Sequence, residues 1–279
     1  MTRLVPKDIA KLGLNWSNFD RSLFNLTGQS LLSLAAQALD LKTDLAQQAL
    51  ANKSLAIVPN SSGEGLIEGF SEALKRIAQR LGCQAFITAP DALGLKQAQS
   101  RQADLLLTSD DHDYHCLNLK SSYKAPNGQA TGLGFAQALF FMAQAHLQKQ
   151  RVLVIGAGPV GWAAAQRLSR LGAQVIVHDL IAQKAQALIQ SLPGAQIYSQ
   201  DLGPIPNSFS LILDASSSKQ LFPPELIPLG ANISAPGMPF SFRPSQGYRL
   251  WAEPLATGTA VMLLMAALNL ELSPTELTP

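Results

Sequence analysis

Cysteine is nearly absent: 2 residues in 279, Cys83 and Cys116, without the C-x-x-C spacing of a redox or metal motif. That scarcity excludes a disulfide scaffold, and the pair is expected to be buried thiols in a reducing compartment. Charge is also thin. Only 14% of residues are Asp, Glu, Lys or Arg and the net charge is +2, which gives no case for a nucleic-acid or anionic-membrane partner. Four histidines, His112, His115, His146 and His178, have no pairing suited to a metal site, and no metal is expected. The most apolar stretches, 135–145 and 260–270, are too short to span a bilayer and read as buried helices. The opening MTRLVP leads into mixed polar sequence, not a secretory signal, so a cytoplasmic location is expected. What is plentiful is apolar side chain, 47% of the total, in a chain long enough for two domains.

The most informative stretch is VLVIGAGPVGWAAAQRLSRLGAQVIVHD, residues 152–179. Val152 to Ile155 form a short β-branched run suited to a strand buried on both faces. Gly156, Gly158 and Gly161 follow as G-x-G-x-x-G. The first glycine permits a tight turn, the second lets backbone approach a pyrophosphate, and the third lets the next helix sit close to the strand. Pro159 and Val160 then open a helix whose N-terminus aims free N–H groups at the phosphates. A second buried strand ends at Asp179, about twenty positions on, where an acid is expected to hold ribose hydroxyls and to repel a 2′-phosphate. The cofactor expected is therefore NAD.

The rest of the chain organises around that unit. Helical spacing predicts helices over 6–12, 30–39 and 43–50, so residues 1–52 read as an N-terminal helical segment or lid. Strands at 54–59, 85–88 and 103–108 alternate with helices at 66–81 and 93–100, giving a small parallel α/β substrate domain over 53–131. A bridging helix spans 132–149 and an NAD-binding Rossmann domain spans 150–255. Its later strands are expected at 196–199, 211–215, 231–234 and 249–252. A C-terminal segment, 256–279, carries a helix that packs back. The fold class expected is α/β: a C-terminal Rossmann domain with a parallel sheet, preceded by N-terminal helices and a small α/β domain.

Ligands of such sheets bind beyond the carboxyl ends of the strands, so residues just after strands carry the most weight. After 54–59 comes Asn60-Ser61-Ser62-Gly63-Glu64-Gly65, where Ser62 either caps a helix or positions a substrate. After 103–108 comes Ser109-Asp110-Asp111-His112-Asp113, either a solvated acidic turn or an anionic wall for an ammonium substrate. Asn118, Lys120 and Asn127 lie further along the same connection as candidate cleft residues. After 231–234 comes Ala235-Pro236-Gly237, where small residues would leave a nicotinamide ring unobstructed. Glu253 follows the last strand and is a candidate catalytic carboxylate.

Together these blocks identify a resemblance. The chain resembles the pyrrolysine-forming dehydrogenases through Leu4-Val5-Pro6, IVPNSSGEGLIEGFSEAL from Ile57, AFIT from Ala85 and LLLTSDD from Leu105. NLK from Asn118, NGQATG from Asn127, the glycine run, SAPGMP from Ser234 and AEPLATGTAVML from Ala252 complete the set. The resemblance implies NAD-dependent oxidation of the terminal amine of 3-methyl-D-ornithyl-lysine, then cyclisation with loss of ammonia. It implies an acid-lined cleft of Asp110, Asp111 and Glu253, in which Asp110 and Glu253 hold the ornithine amines, with Ser62 and Asn127 fixing other polar groups. It also implies that Leu4 lies on a helix closing over the site, and that the protein is a homodimer. The competing readings are another two-domain amino-acid or imine dehydrogenase and a non-catalytic NAD-responsive module. No Lys–Asp pair is evident near the first-domain strands, which argues against the shikimate type.

Overall fold

A computed structural model describes residue 9 and residues 16–61, 66–109, 114–199, 205–217 and 222–271. Leu4, Ser62, Asp110 and Asp111 lie outside the described residues, as does most of the helix expected at 6–12.

Among the described residues, three helix ranges precede the first strand: α1 (Trp16–Thr27), α2 (Leu31–Ala38) and α3 (Thr43–Leu50). α1 is an addition to the expected set, and α2 starts where the Ser30 hydroxyl accepts the Ser33 N–H at 3.2 Å. The first sheet contains β1 (Ser54–Pro59), β2 (Gln84–Ile87), β3 (Leu105–Ser109), β4 (His115–Asn118) and β5 (Lys124–Pro126), in the order β2-β1-β3-β4-β5. It is not purely parallel, as the rhythm of strand and helix had suggested. β1 pairs parallel with β2 and β3, but β4 returns antiparallel on β3, and β5 on β4. The helices of this domain are α4 (Phe70–Arg80) and α5 (Asp91–Ser100). α4 begins four residues later than its apolar pattern, at Gly69, whose φ of 76° is easy only for glycine.

The bridging helix α6 runs Asn127–Met142, so its start lies before residue 132 and takes in the NGQATG block. The second sheet follows with β6 (Arg151–Ile155), β7 (Gln174–His178), β8 (Gln196–Ile197), β9 (Leu211–Asp214), β10 (Asn232–Ser234) and β11 (Arg249–Trp251). Its order is β11-β10-β9-β6-β7-β8 and every pairing is parallel. This is the doubly wound arrangement, with the order reversing between β6 and β9. The helices of this half are α7 (Pro159–Arg170), α8 (Ala182–Ser191) and α9 (Ala256–Leu268), with a 3-10 turn at Pro224–Leu226.

α6 and α9 join the two sheets. α9 is apolar all round, buried from Ala256 to Ala266, and contacts α2, α3, α4, α6, β4 and β5. One core therefore runs through both domains, from Leu55 and Leu105 through Leu139 and Met262 to Val154 and Leu213. A second core on the far face of the Rossmann sheet holds Ile155, Ile212, Ile233, Phe222 and Phe242. Arg167 of α7, buried in this frame, donates to Asp40 at 2.6 and 2.7 Å, to the Gln137 side chain and to the Gln37 carbonyl. Cys83 and Cys116 are both free and buried. Burial pushes the Cys83 thiol up to about 12. Among the described residues, no helix is long and apolar enough to cross a membrane.

Candidate functional site

The glycine turn forms at the reversal point of the sheet, and each glycine has its own steric reason. Gly156 has φ of 94°, and a Cβ there would lie 2.9 Å from the Ala215 backbone. Gly161 sits so close to the turn that a Cβ would reach within 1.8 Å of the Gly156 carbonyl oxygen. Gly158 is different: extended, at the N-cap of α7, with nothing within 4 Å of where a Cβ would be. The first and third glycines close the turn while the second leaves an open face toward the helix N-terminus. That is the cradle a pyrophosphate needs. Pro159 takes the first helical position, where a missing N–H costs nothing.

Asp179 stands at the same mouth. One carboxylate oxygen accepts the Ala157 N–H inside the glycine turn at 2.6 Å, and the other accepts the Ile181 N–H at 2.8 Å. The next residue, Leu180, is 88% exposed and offers no cation at this lip. His178 is buried beside Tyr198, its Nδ1 3.3 Å from the Tyr198 carbonyl, as suits a structural residue.

Three helix N-termini converge beside this turn. A Cβ on Gly128 would lie 2.9 Å from the Pro159 Cβ, so the first turns of α6 and α7 touch. A Cβ on Gly258 would lie 2.3 Å from the Thr131 hydroxyl and 3.4 Å from the Asn127 Oδ1, which brings the start of α9 against α6. The Thr131 hydroxyl donates to Asn127 Oδ1 at 3.0 Å. The positive ends of three helix dipoles thus face one region, which favours negative charge there.

Glu253 supplies such a charge from within the protein. Its Oε2 accepts the Leu255 and Ala256 N–H groups at 2.8 and 2.7 Å, and its Oε1 accepts that of Thr257 at 2.5 Å. The side chain is buried, and it satisfies three donors at the start of α9. A carboxylate has about four lone-pair positions, so about one remains for another partner. This capping role leaves no sign in the sequence, because Glu253 lies two residues before the N-cap position, Leu255, where a capping side chain is usually sought.

Tyr114, the first described residue after the acidic turn, is tied to the same place. Its hydroxyl lies 3.1 Å from that of Thr259, and its carbonyl accepts the Asn127 N–H at 3.2 Å. On the other flank, Ser109 pairs with Pro59 at the carboxyl end of β1. Of the described residues flanking 110–113, Tyr114 therefore lies next to Asn127 and the first turn of α9, and Ser109 lies at the end of β1. Two buried polar atoms on these first turns, Gln129 Nε2 and the Thr257 hydroxyl, have no hydrogen-bond partner among the described residues. Neither residue was singled out from the sequence, because threonine and glutamine in an apolar helix start carry no distinctive pattern.

Asn118 and Lys120 do not join this group. Asn118 pairs with Leu105 at the start of β3, the opposite end of the sheet from the cleft. Its side chain donates to the Ala266 carbonyl and accepts the Lys120 and Ser121 N–H groups, while Lys120 pairs with Asp104 at 2.7 Å. The antiparallel return of β4 carries both residues away. Pro236 and Gly237 follow β10 on the other side of the glycine turn. The Gly237 N–H donates to the Asp214 carbonyl at 2.9 Å, and a Cβ on Gly237 would lie 2.1 Å from the Ser216 carbonyl oxygen.

At the carboxyl ends of β1 and β2 a cavity of 320 Å³ opens between Pro59, Ile67, Phe70 and Ile87, with Glu68 and Glu72 also lining it. Among the described residues, no group of three His, Cys, Asp or Glu side chains could hold a metal ion.

Residues 13–125 match the family described as pyrrolysine biosynthesis protein PylD, N-terminal domain, and residues 133–221 match the alanine dehydrogenase/PNT C-terminal domain. The chain is 28% identical over 268 residues to a pyrrolysine synthase of Methanosarcina acetivorans, covering 94% of this chain and 98% of that protein. It is 28% identical over 273 residues to the pyrrolysine synthase of Methanosarcina barkeri, covering 94% and 97%. Among solved structures, the 5-ketofructose reductase of a Gluconobacter strain superposes with a TM-score of 0.52 at 16% identity, over 81% of this chain and 96% of that one. The shikimate 5-dehydrogenase of Thermus thermophilus, in complex with NADP(H) and shikimate, gives 0.51 at 18% identity, over 80% and 97%. These structures share the fold.

Proposed function

We propose, from the premise that this chain is a PylD-like protein of pyrrolysine biosynthesis, that it oxidises the terminal amine of 3-methyl-D-ornithyl-lysine with NAD⁺ and closes the pyrroline ring of pyrrolysine. The observation that carries this reading is the convergence of a dinucleotide cradle, Asn127, the Glu253-capped helix and Tyr114, the residue that follows the acidic segment. The similarity to pyrrolysine synthases along nearly the whole chain supports the substrate.

NAD⁺, when bound, supplies the hydride acceptor. Gly156, Gly158, Gly161, Pro159 and Val160 would hold its pyrophosphate, Asp179 its adenosine ribose, and Pro236 and Gly237 would flank its nicotinamide. The Asp179 carboxylate and the uncharged Leu180 favour a free 2′-hydroxyl over a 2′-phosphate.

The substrate carries three amines against one carboxylate, so an acidic wall attracts and orients it by a few kcal/mol for close, partly desolvated pairs. Asp110 and Asp111 fill that role. Glu253, fixed by the α9 backbone, has its remaining lone pair to orient the ornithine amine. Asn127 and Ser62 would fix other polar groups, and Leu4 would help to exclude water. The terminal amine must be neutral before its carbon can release hydride, so its proton leaves first, to a carboxylate or to water. Loss of hydride from the CH–NH₂ carbon gives an imine. The ornithine α-amine adds to that carbon, and ammonia leaves to form the ring C=N.

The test is NADH formation, followed by absorbance, with 3-methylornithyl-lysine beside unmethylated ornithyl-lysine, alanine and shikimate. Turnover of the acyl-lysine with NAD and release of ammonia supports the reading. Turnover of alanine or shikimate alone makes this another dehydrogenase, and NAD binding without turnover of any amine makes it a sensor. A homodimer in the cytoplasm is proposed on the same resemblance.

A further inference from the structure

Of the charged side chains described, Asp214 is the one with no exposure at all (0%). It is the last residue of β9 and stands opposite Ile155 of β6, at the reversal point of the sheet. Side chains alternate along a strand. Leu211 and Leu213 face the core shared with the first domain, so Ile212 and Asp214 face the second core, toward Ile233, Phe222 and Phe242. The carboxyl group therefore lies beneath the 235–242 connection, away from the helices of the glycine turn.

This residue ties two loops together, and its neighbour reaches a third. Its Oδ1 accepts the Ser216 N–H at 3.0 Å, fixing the turn after β9. Its main-chain carbonyl accepts the Gly237 N–H at 2.9 Å, fixing the loop after β10, and the Ser241 hydroxyl of that same loop bonds the carboxyl group. The next residue, Ala215, donates to the Ile155 carbonyl at 2.8 Å and lies against Gly156. The Oδ2 atom has no fully formed hydrogen bond among the described residues. Burial pushes the carboxyl well above the usual carboxylate range, against the lowering effect of the two serines. A neutral acid can donate as well as accept, which a carboxylate cannot.

We propose that Asp214 is a positioning residue for the nicotinamide side of the cleft, holding the 235–237 segment at the depth where the ring would lie. It acts through the loop and does not touch the ring. The inference rests on the dinucleotide reading above and extends it to a residue outside the glycine motif.

Two ligands separate this role from a structural one: ADP-ribose, which contains the adenosine half and the pyrophosphate, and NADH, which adds the nicotinamide. Asp214→Ala is expected to keep ADP-ribose affinity within about twofold of wild type while weakening NADH about tenfold or more. Asp214→Asn, which keeps one acceptor and one donor, is expected to restore NADH affinity and turnover to within about twofold. Ser241→Ala is expected to weaken NADH selectively but less, and it carries the test if Asp214→Ala does not fold. Equal losses for both ligands, no loss for NADH, or an asparagine variant no better than alanine overturns the proposal. So does an unchanged Ser241→Ala. A wild-type chain that binds neither ligand overturns the cofactor reading itself, and this inference with it.

Discussion

A carboxyl group sealed from water makes stability depend on pH in a definite direction. Asp214 is held above its ordinary value in the folded state, so between its unfolded pKa, about 3.9, and its folded pKa the native state binds more protons. Its stability is full below the unfolded value and is lost as pH rises through the folded one. Thermal unfolding of Asp214→Asn against wild type should show the variant gaining relative Tm as pH rises from about 3 upward. A relative loss with rising pH would refute the assignment. At Glu253 the expectation is double. Glu253→Gln keeps one acceptor oxygen and turns an NH₂ toward backbone donors, so Tm should fall by the equivalent of about 1–3 kcal/mol along with NADH formation. A variant with lowered turnover and unchanged Tm would mean that the cap is dispensable. The strand-end position of Glu253 was legible from sequence, and so was its acidity. Its three backbone partners were not, because they depend on where α9 starts.

At the scale of elements, periodicity located most helices and strands to within a few residues. The strands β4 and β5 escaped because they are short, four and three residues, and only alternate positions are buried. That omission made the first sheet look wholly parallel and put Asn118 and Lys120 in the cleft. The bridging helix looked as if it began at 132, because Asn127, Gln129 and Thr131 carry polar side chains. Those residues are helical because α7 and α9 pack against them. Gly132 is the point of closest approach: a Cβ there would lie 2.3 Å from the Val160 carbonyl oxygen and 2.8 Å from the Ala164 nitrogen. Gly132→Ala should force α6 and α7 apart at a cost of roughly 1–3 kcal/mol, and should weaken cofactor binding because α7 carries the glycine turn. Isothermal titration with NADH beside a thermal melt would check both. The second joint is Asp40, 72% exposed at its side chain yet the anionic partner of an Arg167 that is 5% exposed. Asp40→Asn keeps a residue tolerant of φ near 56° but leaves a buried guanidinium without its charge partner. It should cost about 1–3 kcal/mol in denaturant unfolding, more than an ordinary surface change.

At the scale of the molecule, cofactor binding should stabilise the fold across the two domains, because α6 and α9 lie in the one core that both share. NAD at about a hundred times its Kd should add about 2.7 kcal/mol, or roughly 5–10 °C in Tm. NADP at the same concentration should add much less, and Asp179→Ala should reduce the NAD shift. Equal shifts from both nucleotides would remove the argument from Asp179.

The Rossmann unit could be derived from sequence because its constraints are local. A β-branched run, three glycines at fixed offsets and an acid one strand later are close along the chain, and each is forced by sterics that any such turn imposes. The division into a helical segment, a small α/β domain and a nucleotide domain followed from the period of apolar side chains. What only the tertiary structure decided involves residues distant in sequence: the meeting of three helix starts, the capture of Tyr114 by Thr259, and the burial of Asp214 under a loop more than twenty residues further on. Such contacts depend on the packing of two sheets against shared helices, and no spacing along a single element encodes them.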